Sequence, residues 1–350
     1  MILHQVAPYS SNEIRSRKCL LGAYRPLILA ICTLPFAPQS AAKTDNSPCP
    51  PQETFDIAEE IDRTVGFPDL SHLDSPFDEG TFERVCSDRL CLDHDPRTKS
   101  AIYVAAKLNR SVVCGDNNRP KNWKVENRVK TDRVAQNAEY TSSGFARGHL
   151  AASADFQAKF EHMEDTFYFS NAVPQIQDGF NGSYWRYLED HIQDLAMNGH
   201  EMIVITGPVP MPPNGKETVV TDNQNACEIE IRLPGLQKHG KTKICDANDS
   251  DNNVANECIP PTGVTIPAGM FKIVYQIDQD EAFAFLMGNY DHRETHKDKP
   301  LKDLDNNQYL ELHRVSIDVI EKLTNIDFLT RHNSRREDII EESCIATPWH

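Results

Sequence analysis

"GFARGHLAASADF", Gly144 to Phe156, sets an arginine and a histidine one glycine apart at the mouth of a small, apolar segment. A packed strand has no need of Arg-Gly-His at that point. Two side chains that bind or move charge, separated by a residue without a side chain, mark a site. What His149 does has to be learned from the residues that follow it.

Forward of His149, "DTFYFSNAVPQ" (Asp165 to Gln175) opens with the strand-like run Phe167, Tyr168 and Phe169 and is broken by Pro174. "FNGSYWRYLEDHIQDLAMNG" (Phe180 to Gly199) comes next. Trp185, Leu188, Ile192 and Leu195 recur at three and four, which predicts an amphipathic helix with Trp185 in the core. Asn198-Gly199 is a stop signal. Asn181 stands at the start, where Asn is favoured as a cap, and Glu189 lies eight residues on. On a continuous helix that separation is about 80° around the axis and roughly 12 Å along it. Both residues can then face one cleft without sharing a ligand shell.

The order is a strand ending in Arg147-Gly148-His149, a connection, a strand, then a helix. These groups suit phosphodiester hydrolysis. An imidazole with pKa near ~6.5 can take the proton of an attacking water. The phosphate gains negative charge, which Mg²⁺ can stabilise. An Asn amide oxygen is a hard ligand suited to Mg²⁺, and an arginine beside the histidine can hold the phosphate.

The remaining pattern predicts a single α+β unit. Its core is a mixed or antiparallel sheet with flanking helices. "SAIYVAAKL" (Ser100 to Leu108) and "EMIVITGPV" (Glu201 to Val209) read as strands, the second stopping at Gly207-Pro208. "MFKIVYQID" and "EAFAFLMGN" read as a hairpin, and "VSIDVIEKLTNI" as a helix through Val315, Val319, Ile320 and Leu323. The chain has 350 residues, 39% hydrophobic, and a formal charge of -16. Such acidity argues against a nucleic-acid partner, because phosphate binding rests on basic residues. Yet residues 97–133 hold ten Lys and Arg against three acids, a net of +7. That stretch is either a local footprint for a polyanion or a solvated charged face.

The N-terminus reads as an export signal over residues 1–42. Arg15, Arg17, Lys18 and Arg25 precede the apolar run "LILAICTLPF", and Ser40 and Ala42 offer small residues for cleavage. The run is too short to span a membrane, so no membrane contact is expected after signal removal. A mitochondrial presequence is the weaker alternative. Eight cysteines remain beyond the signal, enough for up to four disulfides, and Asn109 and Asn248 begin glycosylation sequons. Asn181 also begins one, expected to be unused. Residues 43–89 read as an irregular N-terminal arm, 90–330 as the main domain, and 331–350 as a charged tail. Near 225–260 lies a cysteine-bearing insertion. Its Asp246, Asp249 and Asp251 fit a solvated loop better than a calcium site.

These motifs resemble the DNA/RNA non-specific endonuclease family, the ββα-metal nucleases that include endonuclease G and the Serratia nuclease. "ARGHLAASADF" is similar to the family's D-R-G-H segment. Ser170, Asn171, Pro174 and Gln175 match its S-N-x-x-P-Q, and "FNGSYWRYLE" its L-N-x-x-x-W-x-x-L-E. The resemblance runs from about Leu90 to Leu329 and looks closest to the endonuclease G branch. It implies a ββα-metal catalytic unit, with His149 as general base and Asn181 as the direct Mg²⁺ ligand, Mn²⁺ substituting. Glu189 would orient the metal-bound waters. Arg147 would bind the phosphate, and Asn171 would support the metal and base. It implies cleavage of DNA, and of RNA, to 5'-phosphate ends, by a protein whose relatives often form homodimers. Two departures stand out. Ala146 replaces the family's Asp, which leaves a catalytically impaired extracellular nucleic-acid-binding protein as the alternative. Past Glu189, "DHIQD" lacks the basic residue of relatives; Lys121 or Arg119, near Trp123, could supply a phosphate contact instead.

Overall fold

Strands that are apolar on both faces must be covered on both, and the sheet of this protein is. The computed structural model describes residues 47–73, 82–211, 216–222, 229–234, 238–239, 242–244, 258–259, 263–295 and 305–331. All of these lie in one unit, 44–350. In chain order the first elements are α1 (Ile57–Thr64), β1 (Glu83–Cys86), β2 (Leu90–Asp95), β3 (Ser100–Leu108), α2 (Arg110–Val113) and α3 (Asn137–Tyr140). Next come β4 (Ala146–His149), α4 (Phe160–Asp165), β5 (Ala172–Gln175), α5 (Tyr184–Met197) and β6 (Met202–Val209). Strands β7 (Thr218–Asp222) and β8 (Ile229–Leu233) form a ribbon. Strands β9 (Lys238–His239), β10 (Thr242–Ile244) and β11 (Cys258–Ile259) form a small sheet. The chain continues with β12 (Gly269–Gln276), β13 (Glu281–Gly288), α6 (His292–Thr295), α7 (Asn306–Glu311), β14 (Arg314–Val315) and α8 (Ile317–Thr324).

Seven strands pair in the order β1-β2-β3-β6-β12-β13-β14, every pair antiparallel. The fold is α+β with a central antiparallel sheet and flanking helices. Alternate residues divide between two cores, as the strand period of two requires. Met202, Val204, Met270, Val274 and Phe285 face α5 through Trp185, Leu188 and Ile192. Ile203, Ile205, Phe271 and Ile273 face α1 and α8 through Ile57, Ile61, Ile317 and Ile320. The hairpin β12–β13 forms where the sequence predicts it; the C-terminal helix is α8, but it begins at Ile317, because Val315, expected in the helix, pairs with Ala284 in β14.

Two further expectations are corrected, and one sequence motif finds a structural use. The arm 43–89 is not irregular throughout. Asp56 caps α1 through the Ala58 and Glu59 amides, and β1 pairs with β2. Their signals were weak because α1 has only eight residues and β1, "ERVC", is a polar edge strand. The arm is pinned by the disulfide Cys49–Cys114, while Cys86–Cys91 clips β1 to β2. Strand β6 does not stop at Gly207-Pro208 but pairs with β12 as far as Val209. Its pairing with β3 ends at Thr206, so the missing Pro208 amide costs no bond on that side. The Asn109 sequon is occupied structurally: Asn109 is buried, and its side chain caps α2 by accepting from the Val112 amide. The signal 1–42, the Cys245 side of the insertion with Asp246, Asn248, Asp249 and Asp251, and nearly all of the tail 331–350 lie outside the described residues. Among the described residues no helix is long and apolar enough to cross a membrane.

Candidate active site

The Arg-Gly-His stretch is β4, and it pairs antiparallel with β5: Ala146 with Gln175, Arg147 with Pro174, Gly148 with Val173 and His149 with Ala172. Gly148 leaves room for the buried Gln175 side chain, which packs against it. A Cβ there would lie 2.1 Å from the Gln175 side chain. The strand end is fixed by Asn171, whose backbone carbonyl accepts from the Leu150 amide at 3.0 Å. The Asn171 amide group accepts from Ala151 N at 2.9 Å and donates to Ala151 O and Thr166 O at 3.0 and 2.8 Å. Asn171 is fully buried. It therefore positions the chain after the histidine, and its side chain is spent on backbone.

His149 is enclosed by aromatic rings. Trp123 lies 4.6 Å away between centroids and Phe167 4.9 Å away. Trp123 is set there because the Lys124 amide donates to the Phe167 carbonyl and the Phe169 amide donates to the Lys124 carbonyl. The His149 Nε2 is buried and has no hydrogen-bond partner among the described residues. Burial, followed by the nearby Arg119 guanidinium, pushes the imidazole pKa down to about 3. His149 is thus neutral at physiological pH.

After β5, a turn over Gln177–Asn181 leads into α5. Gly179 adopts φ +74°, and a Cβ there would meet the Asp291 carboxylate at 1.8 Å. Asn181 is not the cap of α5, which begins at Tyr184 after Ser183. Its separation from Glu189 therefore does not follow helix geometry. The Asn181 Nδ2 donates to Gln177 Oε1 at 3.0 Å, which leaves the amide oxygen for another partner.

A cleft of about 580 Å³ brings four of the five expected site residues together: Arg147, His149, Asn181 and Glu189 line it. Asn171 does not. Arg119 and Trp123 also line the cleft, as do Arg186, Asp190 and Gln193 on α5. Arg147 donates to Asn137 Oδ1 at 2.7 Å, while its buried Nε has no partner. Glu189 is half-buried at the cleft wall. Burial raises its pKa to about 8, with Asp155 and Asp190 adding to the rise and Lys272 opposing it.

A larger-scale feature beneath the cleft was not legible. Lys272 occupies a core position of β12 on the α5 side of the sheet, fully buried, and donates to Thr206 Oγ1 at 2.8 Å. Its charge acts on Glu189 and Asp155. Asp155, from the opening stretch itself, is buried and accepts from Gln193 at 3.0 Å; burial raises its pKa to about 6. The one sequence signal was a lysine interrupting the apolar run "GMFKIVYQ".

The model of the DNA/RNA non-specific endonuclease family matches residues 84–334. The chain belongs to that family. Its β4–β5 ribbon followed by α5 is the family's ββα arrangement as read from the motifs. Endonuclease G, mitochondrial, of Bos taurus is 38% identical over 122 residues, 35% of this chain and 40% of that protein. Nuclease 1, mitochondrial, of Schizosaccharomyces pombe is 26% identical over 247 residues, 67% of this chain and 62% of that protein. The match thus spans about two fifths of the length of the bovine relative. A crystal structure of the EndoG/EndoGI complex superposes with TM-score 0.53 at 19% identity, over 79% of this chain and 94% of that one. The family member described here shares that fold.

The donor set fits a hard divalent cation. An uncommitted amide oxygen on Asn181 and a carboxyl on Glu189 stand in one cleft. No group of three or more His, Cys, Asp or Glu side chains forms a metal cage among the described residues.

Proposed function

We propose that the protein is a secreted, Mg²⁺-dependent endonuclease that hydrolyses DNA and RNA to 5'-phosphate ends. The observation that carries this reading is the unpartnered, buried Nε2 of a neutral His149 in a cleft shared with Arg147, Asn181 and Glu189. In the reaction, Nε2 accepts a proton from water as the water oxygen bonds to phosphorus. The bond from phosphorus to the 3' oxygen breaks, and that oxygen takes a proton from solvent. Arg147 balances the charge gathering on the phosphate. The resulting imidazolium is stabilised by the same negative charge, which offsets the burial that keeps His149 neutral beforehand. When bound, Mg²⁺ supplies positive charge to the phosphate and the leaving oxygen, with Mn²⁺ able to substitute. Asn181 would hold the cation through its amide oxygen. Glu189 would orient water beside it, and Asn171 keeps the chain after His149 in place.

Export is supported by the two disulfides, which persist in oxidising compartments. The mitochondrial names of the relatives favour the alternative address. Thiol titration of the denatured protein separates them, since a reduced protein would expose all its cysteines. Digestion of plasmid and of RNA, with Mg²⁺, with EDTA and by His149→Ala, tests the activity. Metal-dependent cutting that the substitution abolishes is expected. Binding without any cutting by the wild type would favour the impaired, nucleic-acid-binding reading, for which Ala146 at the cleft edge is the supporting observation.

A further inference from the structure

The cleft wall formed by α5 carries an unequal set of charges. Residues 186, 189, 190 and 193 follow the i, i+3, i+4, i+7 spacing of one helix face, and all four line the cleft. Two of them, Glu189 and Asp190, are acidic. Gln193 is committed, donating its amide to Asp155. Arg186 is the one arginine or lysine of α5. A polyanion entering along this wall meets the Asp190 carboxylate, and Arg186 is the one positive charge α5 offers it.

Arg186 is held for use and not locked. Its Nε lies 3.6 Å from Asp190 Oδ2, beyond hydrogen-bond length, and the two side chains are 66% and 54% exposed. An exposed i,i+4 pair of this kind is worth little in water, so a phosphate can displace the carboxylate. The phosphate also offers what Asp190 does not supply here: two oxygens in the plane of the guanidinium fork. Three residues, about 4.5 Å along the axis, separate Arg186 from Glu189. Arg147 already serves the phosphate beside His149, so Arg186 is placed for a neighbouring one.

We propose that Arg186 grips the backbone phosphate adjacent to the scissile one, leaving its ion pair with Asp190 to do so. The inference rests on the nuclease reading above and assigns a substrate contact to α5, where the helix is otherwise acidic. Asp190 then sets the strength of the grip, by competing for the guanidinium and by repelling the substrate.

The test uses the full chain and a fluorescein-labelled single-stranded 12-nucleotide DNA. Binding is followed by anisotropy in EDTA over a salt series, and cleavage in Mg²⁺ gives kcat and KM. Arg186→Gln is expected to raise KM about 5- to 30-fold with kcat within about threefold, and to reduce the slope of log affinity against log salt by roughly 0.7, one phosphate contact on a single strand. Asp190→Asn is expected to lower KM severalfold. In the Arg186→Gln background the Asp190→Asn gain should shrink, since part of it depends on the freed guanidinium. Arg63→Gln, on the opposite side of the sheet and paired with Glu60, removes the same charge and should leave the slope at the wild-type value. An unchanged KM and slope in Arg186→Gln, with cutting intact, would overturn this assignment while leaving the nuclease reading standing. An equal loss of slope in Arg63→Gln would overturn it too, by showing a net-charge effect. Absence of cutting by the wild type would instead sink the nuclease reading.

Discussion

Replacing Glu189 by Gln should stabilise the metal-free protein while destroying its function. The Glu189 carboxyl has an ordinary pKa of 4.5 and a folded-state pKa of about 8, raised first by burial. The folded state therefore holds the proton more tightly than the unfolded state. Stability is unaffected by this group below pH 4.5 and is lost as pH rises through the window from 4.5 to 8. At pH 7.5 the group has climbed 3 units into that window, worth about 4 kcal/mol at roughly 1.36 kcal/mol per unit. Because Glu189 opens onto the cleft, solvent screening lowers this to about 2 kcal/mol. Glutamine keeps the shape and carries no charge to desolvate. Urea titrations in EDTA at pH 4.5 and 7.5 measure the difference. We expect equal stabilities at pH 4.5 and a gain of about 2 kcal/mol for Glu189→Gln at pH 7.5, with digestion in Mg²⁺ lost. Equal stabilities at both pH values would refute the reasoning, since the carboxyl would then be well solvated in the folded state.

His149→Ala should cut kcat by about 10²- to 10⁴-fold in plasmid digestion while DNA binding in EDTA persists, as expected for loss of a general base. Asn171→Ala should act through stability, by about 2–4 kcal/mol in denaturant titration, because it strips partners from the buried Ala151 amide and from two carbonyls. Catalysis per folded molecule at low temperature should fall far less than in His149→Ala. Breaking Cys49–Cys114, which closes a loop with a sequence separation of 65, should cost about 4 kcal/mol; breaking Cys86–Cys91, with a separation of 5, should cost about 2 kcal/mol. Single Cys→Ser variants in guanidinium titrations distinguish the two.

The sheet was legible because its central strands are covered on both faces and so read as continuous apolar runs. Helix α5 was legible because Trp185, Leu188 and Ile192 keep the helical period of the face it packs on the sheet. The candidate site showed in the sequence as three motifs, and four of the five residues they offered line one cleft. What failed did so for local reasons. Asn181 lies in a turn whose course depends on Gly179 at positive φ, and no periodicity reports that conformation. Asn171 looked like a neighbour of the chemistry because it adjoins the motif, yet its amide is consumed by the backbone of Ala151 and Thr166. Lys272, Thr206 and Asp155 are brought together under Glu189 by strand register and a 3₁₀ turn, from positions more than fifty residues apart. Arg186 and Asp190 looked like any solvated helix pair, since only the cleft opposite gives their face a purpose.

The two ends of the central sheet are closed to further strands. On one side β14 is two residues long. On the other, β1 is four residues long and stapled to its neighbour by a disulfide. Its Glu83 carboxylate also ties down a passing loop by accepting from the Lys130 and Thr131 amides. A bare edge is a template on which a second chain can grow the same sheet, and aggregation commonly begins there. This molecule withholds that template at both ends. Growth of the central sheet from one copy into the next is therefore disfavoured, and the folded protein should resist fibril formation through that sheet.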